Sequence, residues 1–540
     1  MPHLYEVHME KTFKPLLLTA ALAFCVPPVH AASTLVYCSE ASPAGFDPSQ
    51  YTSGTEFDAS AETVFNRLTQ FKRGGTEVEA GLATQWEVSG DGLTYTFHLR
   101  KGVKFHTTDY FKPTRDFNAD DVLFTFNRLL NADDPFRKAY PSESPYFTDM
   151  DMNTTIKQVE KVDEQTVRFH LNNIDAAFIQ NLAMSFASIQ SAEYAEKLLK
   201  EGKAEDINQK PIGTGPFVFN RYQKDAQIRF VGNKQYWKPE DVKLDKLIFS
   251  ITTDAATRLQ KLKANECQIS GYPRPEDIAQ AEKDPDLKVL SQPGFNLGFL
   301  AYNVTHTPLD NLKVRQALDM AIDKPAIIKA VYQGAGQLAQ NALPPAQWGY
   351  DPNIKDAPYD PAKARQLLKE AGVAPGTQIN LWAMTVQRAS NPNARMSAQM
   401  IQSDWAKIGI KANIVSYEWG EYIKRAKAGE HDVMIYGWTG DNGDPDNWLG
   451  VLYSCAVVKG SNYAKWCNPA YDKLVTQAKL TSNPDERIKL YQQAQAILKN
   501  DVPITPIANS KVFQPMRKEV QDFKLSPFGL TPFYGVSVAK

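Results

Sequence analysis

Hydrophobic and polar residues alternate with a period of two near the start of the chain. In residues 93–99, Leu, Tyr, Phe and Leu share one face, while two Thr and a His share the other. An Asp91-Gly92 turn joins this segment to residues 86–88, and the pattern predicts a β-hairpin. Asn118 is the predicted cap of a helix that follows.

Other strands and helices of the first region follow from the same patterns. Strands are predicted at residues 35–38, 218–231 and 247–251, and a helix at residues 255–263. Because the strands are gathered rather than strictly alternating with helices, this region is predicted to be mixed α and β.

The pattern changes at the breaker pair Pro293-Gly294, which precedes a predicted strand ending near Asn303. Beyond it, helices and strands alternate at residues 314–322, 359–372, 379–384, 392–408 and 411–417. This alternation predicts an α/β lobe, with the breaker pair as the crossover into it. The last short strands, after residues 508–510, are predicted to return to the first lobe.

Ser53 and Gly54 lie in a run of small residues with two possible roles. The run can present backbone N–H and C=O groups to a ligand. Alternatively it caps a helix predicted over residues 59–68, and capping preferences favour that interpretation.

An apolar run at residues 433–436 predicts a short buried strand that leads into a loop rich in Gly, Asp and Asn. In that loop Gly437 and Gly440 allow the backbone to come close to a ligand, while Trp438 and Asp441 offer a ring and a carboxylate. Such a loop suits a small cationic group. The alternative is a polar surface turn. Two tryptophans flank the acidic run, and large aromatic side chains are seldom found on solvated loops.

Length and charge narrow the classes of function. With 540 residues, the chain is expected to form two to four lobes at roughly 100–200 residues per domain. Its formal net charge of −1 gives no general attraction to nucleic acid or anionic lipid. No nucleic-acid partner is therefore expected, and a charged ligand has to be bound by local charges.

The N-terminus has the features of a secretory signal peptide. Two lysines precede the apolar run at residues 16–26, and a small-residue cleavage rule places the cut after Ala31. The run is too short to span a bilayer. We expect a signal peptide over residues 1–31 and export as a soluble protein, with Met9 as an alternative start.

Removal of the signal leaves four cysteines in an exported chain, so two disulfides are expected. Cys455 and Cys467 enclose a short loop, whose closure stabilises by about 3 kcal/mol on the chain-entropy model. The remaining pair is Cys38 and Cys267.

The sequence contains no serine elbow, phosphate loop or zinc-protease helix, and its acidic run at residues 441–446 lacks calcium-loop spacing. His98 and His106 are predicted to be structural. We therefore expect no enzyme activity, no cofactor and no metal. An exported hydrolase remains the alternative, because paired carboxylates have no fixed spacing.

Four segments together resemble the peptide/nickel-type solute-binding proteins of ABC importers: Leu-Val-Tyr-Cys-Ser-Glu at 35–40, Gly-Thr-Gly-Pro-Phe at 213–217, Val-Arg-Gln-Ala-Leu at 314–318 and Trp-Thr-Gly-Asp-Asn-Gly-Asp-Pro-Asp-Asn at 438–447. The resemblance covers essentially the whole mature chain, and the four cysteines match the positions of two disulfides in that family.

The resemblance implies an α/β, two-lobe periplasmic-binding-protein (Venus-flytrap) fold that closes over its ligand. Lobe I would comprise residues 32–292 plus 511–540, with an inserted subdomain at about 69–211, and lobe II residues 293–510. It also implies a monomer in the periplasm that delivers its ligand to an inner-membrane ABC permease.

The same resemblance implies that Arg388 receives the carboxylate of a peptide and Asp441 its α-ammonium. Main-chain groups near Ser53, Gly54, Gly437 and Trp438 would bond the peptide backbone. The sequence departs from the family's dipeptide-binding pattern at Thr385 and at residues 389–390, where a proline and a Pro-Tyr pair are expected. These differences bear on side-chain preference near the carboxylate.

Two opposite charges at a fixed separation measure the length of a zwitterionic ligand. A dipeptide spans about 7 Å between its termini when extended, and the planar fork of an arginine bonds both oxygens of a carboxylate. A dipeptide is therefore the expected ligand. A tripeptide, or haem, glutathione or a nickel chelate on the same fold, is the alternative.

Overall fold

The computed structural model describes residues 33–539, and twenty β-strands lie in that part of the chain. They are β1 Thr34–Ser39, β2 Thr69–Phe71, β3 Val78–Ala80, β4 Ala83–Val88, β5 Thr94–Leu99, β6 Ile156–Asp163, β7 Thr166–Leu171, β8 Phe217–Gln223, β9 Gln227–Gly232, β10 Lys246–Ile251, β11 Ile269–Ser270, β12 Leu287–Pro293, β13 Asn296–Tyr302, β14 Gly336–Leu338, β15 Thr377–Trp382, β16 Ile410–Val415, β17 Val433–Thr439, β18 Ile504–Arg517, β19 Val520–Gln521 and β20 Ser537–Val538.

The same residues contain seventeen α-helices. They are α1 Gly54–Ala59, α2 Ala119–Leu130, α3 Pro135–Ala139, α4 Pro145–Asp149, α5 Met152–Thr155, α6 Phe178–Leu182, α7 Ala192–Glu201, α8 Ala255–Lys263, α9 Pro275–Glu282, α10 Leu312–Met320, α11 Lys324–Ile327, α12 Pro361–Glu370, α13 Ala394–Lys407, α14 Trp419–Lys427, α15 Asp446–Tyr453, α16 Pro469–Lys479 and α17 Pro484–Asp501. Short 3₁₀ or π turns lie at Pro48–Gln50, Ser185–Ala187, Ala204–Asn208, Pro239–Asp241, Ile328–Tyr332 and Cys455–Val457.

The long strand β18 joins the two halves of a twelve-stranded sheet. Its first part pairs antiparallel with β13, and its last part pairs antiparallel with β12. The order across the sheet is β16-β15-β17-β13-β18-β11-β1-β10-β9-β8. Parallel pairs, β15 with β16 and β1 with β10, occur in both halves. The predicted α/β class is confirmed.

The two chain connections between the half-sheets lie side by side. The N–H of Gly294 donates to the Ser510 carbonyl at 2.9 Å, and the Asn296 amide oxygen accepts from the Ser510 N–H at 3.0 Å. A Cβ on Gly294 would lie 2.1 Å from the same carbonyl, so only glycine fits there. We propose that the lobes divide at this crossover, with the boundaries 32–292 plus 511–540 and 293–510.

A second, four-stranded antiparallel sheet, β4-β5-β7-β6, forms the core of the predicted subdomain together with α2. The rings of Phe97, Phe126 and Phe169 meet edge to face between them, with centroids 5.5 Å and 4.9 Å apart. The limits at about 69–211 remain our proposal.

Local predictions in this region are confirmed. Strands β4 and β5 form the predicted hairpin, with Trp86 opposite Phe97. Asn118 caps α2 through a capping box with Asp121.

The helix predicted over residues 59–68 is wrong. Helix α1 begins at Gly54 and ends at Ala59. Beyond it, the carbonyls of Thr63 and Val64 accept from the N–H groups of Phe217 and Gly215, at 3.0 Å and 2.8 Å. Because these carbonyls bond to a crossing segment, they are not available for helical hydrogen bonds.

The single strand predicted at residues 218–231 is also wrong in detail. The chain forms two strands, β8 and β9, which pair antiparallel across a turn at Asp225 with φ 60°. Asp tolerates this left-handed conformation better than most residues.

Both predicted disulfides are confirmed. The Cα atoms of Cys38 and Cys267 lie 5.8 Å apart, and those of Cys455 and Cys467 lie 4.6 Å apart. The predicted signal peptide, residues 1–31, lies outside the described residues. Within residues 33–539, no helix combines the length and apolarity that a bilayer span requires.

Candidate functional site

Asp441 lies in the loop that follows β17, and Asn447 fixes the backbone there. The Asn447 side-chain oxygen accepts from the Asp441 N–H at 2.9 Å and from the Trp438 indole N–H at 3.2 Å. The N–H of Gly440 donates to the Phe295 carbonyl at 2.9 Å. A Cβ on Gly440 would lie 2.4 Å from the Phe295 ring, so the turn depends on glycine there.

The carboxylate of Asp441 is half-buried, and within residues 33–539 no Lys or Arg nitrogen lies within 4.0 Å of it. The Tyr146 hydroxyl donates a hydrogen bond to this carboxylate at 2.7 Å. Burial raises the pKa of Asp441 to about 7, although the hydrogen bond from Tyr146 and the neighbouring Asn447 side chain oppose the rise. A carboxylate in this setting favours a cationic partner.

The cavity beside Asp441 has mixed walls. Phe57, Tyr146, Met184 and Phe528 line it together with Asp441, and so do the charged side chains of Glu62, Arg67, Lys72 and Arg73. Trp438 is buried next to it, with its ring edge-on to Tyr146 at 6.2 Å.

Arg388 lies in a tight loop after β15. Its N–H and C=O groups exchange hydrogen bonds with Asn391, at 3.3 Å and 3.0 Å. The guanidinium lies over the Tyr272 ring at 4.9 Å, and one of its nitrogens lies 3.8 Å from the Glu40 carboxylate. The side chain is 22% exposed. Arg388 therefore bridges from its own loop to residues of the first half of the chain.

Two glycines opposite each other on β13 and β17 make room for this loop. A Cβ on Gly437 would lie 2.3 Å from Ser390 Oγ, and one on Gly298 would lie 2.2 Å from the Ser390 carbonyl. Asn391 donates to the Tyr436 carbonyl at 2.9 Å, and Tyr332 donates to the Ser390 carbonyl at 2.7 Å. Gly437 thus holds the Arg388 loop against the sheet.

Ser53 is a helix cap, but it caps α1 and not the helix predicted over residues 59–68. Its hydroxyl accepts from the Thr55 N–H at 3.3 Å. A Cβ on the next residue, Gly54, would lie 2.8 Å from the Tyr272 hydroxyl. The Ser53–Gly54 turn therefore lies beside the Tyr272 ring, over which the Arg388 guanidinium lies.

Strand β17 connects the two loops that carry Arg388 and Asp441. The Arg388 loop contacts Tyr436 through Asn391, whose side chain donates to the Tyr436 carbonyl at 2.9 Å, and Asp441 follows the end of the same strand.

Sequence reasoning missed Tyr146, Tyr272 and Glu40. Tyr146 is 295 positions from Asp441, and no local pattern connects them. Glu40 could have been found, because it directly follows β1, a strand with parallel neighbours, and ligands of α/β sheets bind beyond the carboxyl ends of such strands.

The histidine interpretation holds for His106, which is buried with its Nε2 2.9 Å from the Gly215 carbonyl. Burial lowers its pKa to about 4. Across residues 33–539, no three His, Cys, Asp or Glu side chains group closely enough to hold a metal ion.

The family model described as Bacterial extracellular solute-binding proteins, family 5 Middle, matches residues 77–460. The chain belongs to this family. The resemblance found in the sequence is thereby confirmed.

Relatives and solved structures agree with this assignment. The chain is 70% identical over 526 residues to Di/tripeptide-binding protein 1 of Pseudomonas aeruginosa, covering 97% of this chain and 98% of the relative. The crystal structure of a dipeptide binding protein from Pseudoalteromonas in complex with Met-Leu matches with a TM-score of 0.90 at 40% identity, over 94% of this chain and all of that one. A periplasmic binding protein from Helicobacter pylori in complex with the peptide STSA matches with a TM-score of 0.89 at 36% identity, over 94% and 98%. These matches support the two-lobe fold.

The Gly437→Ala variant tests the packing of the Arg388 loop. The new methyl group would collide with Ser390 and Asn391, so we expect the free energy of unfolding to fall by about 1–3 kcal/mol in chemical denaturation. Gly90→Ala is the control, because a Cβ there meets nothing within 4 Å. Equal effects of the two variants would contradict the packing role.

The Asp441→Asn variant tests the burial of the carboxylate. Because the folded pKa, about 7, lies above the ordinary value of 3.8, the cost of ionising Asp441 lowers the free energy of unfolding progressively as the pH rises from about 4 to 7. The loss is complete above pH 7 and absent below about pH 4. We expect the variant to be more stable than wild type by about 1–2 kcal/mol at pH 8, and the gain to vanish near pH 4.

Asp245→Asn is the control of opposite sign. Hydrogen bonds from Lys234 and Ser33 lower the pKa of Asp245 to about 2, so its ionisation stabilises the protein above pH 4. That variant should lose stability at pH 8. A loss for Asp441→Asn at pH 8 would contradict the account.

Proposed function

We propose that this protein is a periplasmic substrate-binding protein that captures dipeptides by their charged termini between its two lobes. It delivers them to an inner-membrane ABC permease and performs no chemistry on them. The names of relatives that share up to 70% of its residues support a peptide ligand.

The observation that carries the proposal is the carboxylate of Asp441. It is half-buried, it has no Lys or Arg partner among the described residues, and its pKa is about 7. An α-ammonium supplies the missing cation. Pairing with a cation lowers the pKa of a carboxyl group, so the bound state would hold Asp441 ionised at neutral pH.

Arg388 supplies the opposite anchor. Its guanidinium is fixed by Tyr272 and the loop contacts, and its nearest acid, Glu40, lies 3.8 Å away, beyond hydrogen-bond distance. A peptide carboxylate can therefore take the direct bidentate contact. The half-buried setting strengthens both end contacts, because water screens them less than at an open surface.

The main-chain groups near Ser53, Gly54, Gly437, Trp438 and Gly440 are proposed to bond the peptide backbone. Trp438 and Gly440 lie within three residues of Asp441, which places their main chain beside the proposed ammonium anchor. The Gly440 N–H itself donates to the Phe295 carbonyl. Gly437 contributes chiefly by letting the Arg388 loop pack on the sheet, as its contacts with Ser390 indicate.

Ligand length is set by the separation of the two anchors. The proposal requires the Arg388 guanidinium and the Asp441 carboxylate to be separated by about the 7 Å that an extended dipeptide spans between its termini. Tripeptides are the second candidate, since the relative from Pseudomonas aeruginosa is named for both lengths.

We also propose that the protein acts as a monomer after removal of residues 1–31. Capture in solution followed by transfer to a permease requires no second copy, and both anchors lie on one chain.

Calorimetric titration of ligand-stripped protein tests the function. Ala-Ala is expected to bind at one site per chain, whereas N-acetylated Ala-Ala and Ala-Ala amide each lose one end contact. We expect Asp441→Asn and Arg388→Met each to weaken Ala-Ala binding by about 2–5 kcal/mol. Tri-Ala measures the tolerance in length.

Arg425→Met is the matched control. Its guanidinium lies 4.7 Å over the Tyr417 ring and pairs with Glu421, so it has contacts of the same kind as Arg388. It should leave the affinity unchanged. Binding of haem, glutathione or a nickel chelate but no peptide would overturn the assignment, and peptide products in a time course would reveal a hydrolase.

A further inference from the structure

A contact between the inserted subdomain and the second lobe centres on Lys479, the last residue of α16. Its ammonium donates to the Met150 carbonyl at 2.9 Å and to the Asp151 carboxylate at 3.1 Å. Its own carbonyl accepts from the Ala176 N–H at 3.0 Å. The last carbonyls of a helix have no partner within it, so the subdomain caps α16.

Neighbouring contacts extend the same interface. Asn442 donates to the Asn181 side chain at 2.7 Å, and both residues are buried. Asp149 lies against the disulfide loop, since a Cβ on Gly460 would be 2.7 Å from its carboxylate. The segment that follows Tyr146 is thus held on the second lobe at several points.

The charges around Lys479 are mostly acidic. Asp446 lies 3.8 Å from its ammonium, and Asp151 and Asp175 approach from the subdomain. Burial raises the pKa of Asp446 to about 6 and raises that of Asp175, while Lys479 opposes both shifts. Without Lys479, acids of the subdomain would face an acid of the second lobe.

Asp444 adds little to the negative charge around Lys479. It forms a buried bidentate pair with Arg487, with both contacts at 2.8 Å. Lys479 is therefore the cation that lies 3.1 Å from Asp151 and 3.8 Å from Asp446. Arg487 also lowers the pKa of Asp446 and Asp175, but its own contacts are with Asp444.

We propose that Lys479 is a positioning residue for peptide binding, which holds the Met150-Asp151 segment on the second lobe and so keeps Tyr146 against Asp441. The inference rests on the proposed function. Met150 directly follows α4, and Tyr146 lies in the same helix, so fixing the end of α4 fixes the hydroxyl that contacts the ammonium anchor.

A double-mutant cycle tests this role. The dissociation constant of Ala-Ala and its off-rate are measured for wild type, Lys479→Met, Tyr146→Phe and the double variant. We expect Lys479→Met to weaken binding about tenfold or more, mainly through a faster off-rate. Because Lys479 acts through Tyr146, the double variant should bind about as weakly as Lys479→Met alone.

Lys324→Met is the matched control. Lys324 is also a buried lysine, held by Asp319 at 2.7 Å and Asp356 at 2.6 Å, but all three residues belong to the second lobe. Its loss should lower stability and change the dissociation constant by less than about twofold. An affinity loss equal to that of Lys479→Met would overturn the proposal.

Asp151→Ala provides a second variant should Lys479→Met fail to fold, because the Asp151 side chain is 45% exposed. We expect it to weaken Ala-Ala binding by about two- to fourfold. Unchanged affinity in both Lys479→Met and Asp151→Ala overturns the role of Lys479 but leaves the proposed function intact. The same conclusion follows if the double variant loses affinity by the product of the Lys479→Met and Tyr146→Phe losses. No binding of Ala-Ala by wild type overturns the proposed function, and this inference with it.

Discussion

The central physical constraint in this protein is a half-buried carboxylate that has no Lys or Arg partner within residues 33–539. Asp441 accepts one hydrogen bond from Tyr146, and burial raises its pKa to about 7. Such a group is costly for the free protein and becomes favourable once a positive charge binds. The surrounding elements maintain that arrangement: Asn447 fixes the backbone, Gly440 allows the turn, and the Phe57 and Phe528 rings form part of the cavity wall beside the carboxylate.

Both proposed anchors belong to the second half of the chain, while the side chains that contact them come from the first half. Arg388 projects from a loop packed on β13 and β17, and Asp441 follows β17 directly. Tyr272 and Glu40 meet Arg388, and Tyr146 meets Asp441. Each half of the chain therefore contributes a different part of the proposed site. In the proposed division, both anchors belong to lobe II, and Tyr146, Tyr272 and Glu40 of lobe I contact them.

The pattern of hydrophobic, turn and capping residues predicted the elements that depend on residues close in sequence, such as the β4–β5 hairpin and the capped helix α2. It failed at residues 59–68, because the backbone there bonds to a segment about 150 positions away that no periodicity reveals. Arg388 was named through family resemblance alone, whereas Asp441 was also indicated by the loop rich in Gly, Asp and Asn that follows a predicted buried strand. Tyr146 and Tyr272 carried no signal at all, since their roles arise from contacts between distant parts of the chain.

The count of protons exchanged on binding tests the central claim most directly. It is obtained by calorimetric titration of Ala-Ala at pH 6 in buffers of different ionisation enthalpy. At this pH the free protein holds Asp441 mostly protonated, and pairing with the peptide ammonium would ionise it. We therefore predict release of about 0.5–1 proton per peptide bound. Binding with no proton release would contradict the claim that Asp441 is the buried carboxylate that receives the α-ammonium.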